Sequence, residues 1–105
     1  THAFKARAGH HLAPQPLSTG RNVFEELGTG YTLLAFDSDD GIVQSFEREA
    51  RSLGVPLAVV RDACRGELQR YESRLILVRP DQYVVWTGDT QPHDVRALLC
   101  KATGR

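Results

Sequence analysis

The sequence has no methionine, one tryptophan, two cysteines and only two lysines, Lys5 and Lys101. A chain that begins at Thr1 without a methionine is expected to be a piece of a longer protein. Cys64 and Cys100 form neither a C-x-x-C pair nor the framework that staples small secreted domains, so both are expected as buried free thiols. No apolar run approaches the roughly 18 residues needed to cross a bilayer, and no signal-peptide apolar stretch opens the chain. It therefore reads as soluble and cytoplasmic, without a membrane partner. Charge of one sign is lacking too: Lys plus Arg and Asp plus Glu each total 13. No overall field then draws the chain to nucleic acid.

What is present fits one domain. At 105 residues the chain can bury roughly two thirds of its unfolded surface in one core. Residues 1–21 hold two prolines, two glycines and little periodicity, as expected of an irregular connecting segment lying over a surface. From residue 22 to 105 the elements are dense. Phe24 and Leu27 share one face of a short helical turn closed by Gly28. "YTLLAF" (31–36) is a nearly continuous apolar run, the mark of a strand covered on both faces. Ile42, Phe46, Ala50 and Leu53, widened by Val43, recur at helical spacing before Gly54. "VPLAVV" (55–60) reads as a second strand, parallel to the first because a helix joins them. A short helix around "ELQRYE" (67–72) follows. "RLILV" and "YVVW", separated only by "RPDQ", must be antiparallel neighbours. Val95, Leu98, Leu99 and Ala102 mark a last helix, with Pro92 suited to its first turn. The order β-α-β-α-β-β-α predicts a thioredoxin-like, three-layer α/β fold on a mixed four-stranded sheet.

The stretch "TLLAFDSDDG" invites an enzymatic reading. Asp37 and Asp39 stand in the D-x-D spacing of haloacid-dehalogenase-type phosphatases, and Gly88, Asp89 and Asp94 resemble their acidic Mg²⁺ motif. That chemistry needs a lysine between the two motifs, and neither Lys5 nor Lys101 lies there. A calcium loop started at Asp37 would put Gly41 fifth and Arg48 twelfth, against the required glycine sixth and glutamate twelfth. Asp39 or Asp40 is therefore expected to cap the following helix, whose positive end favours a carboxylate.

Other constellations are no stronger. His2, His10, His11 and His93 show no zinc-site spacing, and Cys64 has Arg61 and Arg65 nearby but no histidine base. Phe36, Phe46, Tyr83 and Trp86 read as core or sheet-face aromatics. No glycine-rich phosphate loop opens a helix. No catalytic, cofactor-binding or metal-binding residue is assigned.

Two departures bear on the thioredoxin likeness. The place of the redox cysteine pair is taken by "DSDD", and that of the cis-proline by Tyr71, Glu72, Ser73 and Arg74. Dithiol chemistry is not expected. A closer likeness runs through "AGHHLAPQPL", "GRNVFEELGTGYTLLAF", "GVPLAVV" and "LILVRPDQYVVWTGD". These resemble the C-terminal thioredoxin-like domain of FAD-dependent aromatic-ring hydroxylases, the phenol-hydroxylase-like flavoprotein monooxygenases. "LVRPD" before an aromatic strand with Trp86 is the most specific element. Members usually carry glycine where this chain has Gln82, so the hairpin should be strained or use another turn type.

The resemblance implies a catalytically silent C-terminal domain, with FAD and the reductant NAD(P)H held by other parts of the parent enzyme. It implies as partners the FAD-binding and substrate domains of the same chain and, in some members, other subunits of a homo-oligomer. Two readings of other classes remain open. A stand-alone thiol protein using Cys64 would turn over a disulfide substrate, and a small-molecule binding module would show a ligand-induced melting shift.

Overall fold

The computed structural model describes residues 9, 11–12, 17, 21–28, 30–36, 40–62, 74–90 and 92–104. Its elements are α1 (Val23–Glu26), β1 (Tyr31–Phe36), α2 (Asp40–Leu53), β2 (Leu57–Asp62), β3 (Leu75–Val78), β4 (Val84–Gly88) and α3 (Val95–Thr103). The strands form one mixed sheet in the order β2-β1-β3-β4, with β1 parallel to β2 and antiparallel to β3, and β3 antiparallel to β4. This is the thioredoxin-like arrangement that the element order predicts. The helix expected at residues 67–72 lies outside the described residues.

β1 occupies the centre because its side chains have nowhere else to go. Successive residues of a strand point to opposite faces. Leu33 and Ala35 join Leu75 and Leu77 of β3 beneath Val43, Phe46 and Ala50 of α2 and Leu99 of α3. Leu34 and Phe36 join Ile76 and Val78 in the second core, closed by Val23 of α1, Leu12 and Leu17. Each buried Leu, Ile or Phe contributes about 1.5–3 kcal/mol relative to exposure.

The helices end as their sequences require. α1 begins with a capping box: the Asn22 side chain accepts from the Phe24 N–H, and Glu25 accepts from the Asn22 N–H. α2 ends in a Schellman turn, with Gly54 at φ 73°, the Gly54 N–H bonded to the Arg51 carbonyl and the Val55 N–H to the Ala50 carbonyl. α3 starts at Val95, later than the sequence suggests, because Asp94 accepts from the Ala97 N–H and Pro92 stays outside the helix. β2 likewise starts at Leu57: Pro56 has no N–H for the ladder, and its carbonyl accepts from the Tyr31 N–H in the first bond of the strand pair. A side chain at Gly30 would sit 2.6 Å from that same carbonyl oxygen, so the approach demands glycine.

The N-terminal segment is more than a surface covering. Leu12 is fully buried and Leu17 nearly so, in the core behind β1. The Leu12 N–H bonds to the Gln82 carbonyl, His11 stands opposite Tyr83, and the Gly9 N–H bonds to the Val84 carbonyl, so this stretch pairs with the start of β4. It protects one end of an edge strand that would otherwise present unpaired backbone.

The β3–β4 hairpin keeps the positive φ that a glycine would ease. Gln82 has φ 70°, the one non-glycine residue with positive φ among those described. Its N–H bonds to the Arg79 carbonyl at 2.9 Å, and the Arg79 N–H bonds to the Tyr83 carbonyl at 2.8 Å. The register slips between Leu77 and Val78, as expected of a hairpin that absorbs an extra residue. A left-handed non-glycine residue costs roughly 1–2 kcal/mol, of which glycine's greater unfolded freedom returns about 0.5–1. Gln82→Gly is therefore expected to stabilise the domain by about 0.5–1 kcal/mol, read as a higher urea midpoint at unchanged slope. A lower midpoint would show that the Gln82 side chain contributes more than its backbone costs.

Candidate functional site

Of the acidic residues around the suggested active site, the described ones are engaged in holding the fold. Asp40 is the first residue of α2, and its carboxylate pairs with the Arg61 guanidinium near the end of β2. Asp89 accepts a hydrogen bond from the Arg74 N–H at 3.0 Å, joining the end of β4 to the start of β3. Asp94 caps α3, accepting from Ala97 at 3.0 Å. Asp81 binds Arg79 at 2.6 Å across the hairpin loop. Asp37, Ser38 and Asp39 lie outside the described residues, as does Cys64.

The remaining candidates are dispersed. His11 sets its ring edge-on to Phe24 and Tyr83, at centroid distances of 5.9 and 5.2 Å. His93 lies across the molecule's α2–α3 side, in a cleft of about 320 Å³ where Arg96 reaches Glu49 at 3.6 Å. His2 and His10 are not among the described residues. Cys100 is a half-buried free thiol on α3. Among the described residues no three of His, Cys, Asp and Glu gather as a metal site. Of the aromatics, Phe36 and Phe46 are buried, and Trp86 is half-buried with its ring 5.7 Å from Phe46. Tyr83 departs from the core reading: it is 42% exposed, because only the short N-terminal pairing lies beside it.

An open groove of about 680 Å³ lies between β4 and α3. Its apolar wall includes Tyr31, Trp86 and Leu98, and Arg79, Tyr83 and Lys101 stand around it. The Tyr31 hydroxyl donates to the Ala102 carbonyl at 3.2 Å and so fixes the end of α3 against the sheet. No pattern in the sequence marked this groove, because its walls come from β1, the hairpin, β4 and α3, which only the fold brings together. Its described lining combines cationic groups with apolar surface.

α2 begins with the Asp40 carboxylate and α3 is capped by that of Asp94, so negative charge already stands at both N-termini. Among the described residues no helix is long and apolar enough to cross a membrane.

Comparison with known proteins gives a consistent result. The family described as "Aromatic-ring hydroxylase, C-terminal" matches residues 5–105. The FAD-dependent monooxygenase apdD of Emericella nidulans is 35% identical over 96 residues, covering 84% of this chain and 15% of its own length. The rebeccamycin biosynthetic enzyme RebC, solved with reduced flavin, superposes with a TM-score of 0.85 at 33% identity, over 95% of this chain and 19% of its own. Aklavinone-11 hydroxylase, solved with FAD and aklavinone, gives 0.70 at 25% identity, over 93% of this chain and 21% of its own. The chain thus spans a minor part of each relative.

The carboxylates divide by what they satisfy. Asp94→Ala leaves N–H groups of α3 uncapped and is expected to cost about 1 kcal/mol. Asp40→Asn loses a solvent-exposed ion pair and one charge in the first turn of α2 but leaves no backbone group unpaired, and is expected to cost less, about 0.5 kcal/mol. Urea titration of both variants checks the contrast, and equal losses would contradict it.

Proposed function

The chain belongs to the aromatic-ring hydroxylase C-terminal family, and from that premise we propose that it is the non-catalytic domain of a larger FAD- and NAD(P)H-dependent monooxygenase that hydroxylates an aromatic ring. In this reading the flavin, the substrate pocket and the reductant all lie in preceding parts of the parent chain. Residues 1–21 connect those parts to the thioredoxin-like unit of residues 22–105. The domain acts through its surfaces, contacting the rest of its chain or other subunits, in a cytoplasmic enzyme.

The observation that carries the proposal is that the described acidic residues nearest to a catalytic pattern are committed to structure. Asp89 and Asp94 hold backbone N–H groups, and Asp40 and Asp81 hold arginines. Asp94, which lines the cleft beside His93, is itself held by the Ala97 N–H. The flavin chemistry of the relatives' names is in keeping with the rest of their chains, since this domain accounts for 15% of apdD and 19% of RebC. The N-termini of α2 and α3 already carry carboxylates.

The test is spectroscopic. Purified alone, the 105-residue chain is expected to be colourless and to take up no FAD on titration. The intact parent protein should be yellow and release FAD on denaturation. Flavin absorbance in the isolated chain at stoichiometric level would contradict a non-catalytic role, and a flavin-free parent would contradict the monooxygenase reading itself.

A further inference from the structure

We draw no further inference here: the strongest candidate, the cleft of about 320 Å³ between α2 and α3 beside His93, carries none because Arg48 and Arg96 both face Glu49, Asp94 caps α3 and nothing in the structure shows what would cover it.

Discussion

Burial of β1 on both faces is the constraint on which the rest of this structure depends. Leu33 and Ala35 need cover from α2 and α3, and Leu34 and Phe36 need cover from the opposite side. Its backbone polar groups are met by β2 on one side and β3 on the other, so no water has to reach the centre. The second face has only a four-residue helix, α1, among its described helices. Leu12 and Leu17 of the N-terminal segment complete that core, which is why a stretch with the composition of a linker is tied to the hairpin by backbone hydrogen bonds.

The same electrostatics that make an acidic strand end look catalytic also explain its structural use. Helix N-termini favour negative charge and supply free N–H groups, so aspartates collect there whether or not a reaction takes place. Asp94 is such a cap, and Asp40 lies in the first turn of α2 and faces Arg61. A catalytic carboxylate would need a cavity and a partner whose role changes during reaction. The groove between β4 and α3 instead offers apolar walls and cations, the equipment of a contact surface.

How much was legible follows from which interactions are local. "YTLLAF" coincides with β1 because burial on both faces keeps the run nearly all apolar, with Thr32 buried among the rest. The stripe of Ile42, Val43, Phe46, Ala50 and Leu53 lies on α2, and Gly54 ends it, because spacing and capping are written within a few residues. The hairpin too was readable, including the awkward place of Gln82, since a short loop fixes its own geometry. The pairing of the Leu12 stretch with the hairpin was not, because it joins residues about 70 positions apart and no local pattern marks it. The first residue of α3 was misjudged for a subtler reason. Pro92 is acceptable in a first turn, but the Asp94 side chain supplies a hydrogen bond that proline cannot. The groove stayed invisible because it exists only once α3 is laid beside β4.

The central claim is that this domain supports a flavin hydroxylase through contact and not through chemistry. The most direct measurement is on the parent enzyme truncated before Thr1, compared with the full chain for flavin content, melting temperature, subunit count and rate of hydroxylation. A domain acting through contact predicts that the truncated protein retains FAD while its melting temperature falls or its subunits separate. Two results would contradict it: full stability, unchanged assembly and an undiminished rate, or loss of hydroxylation with flavin, assembly and melting temperature all unchanged.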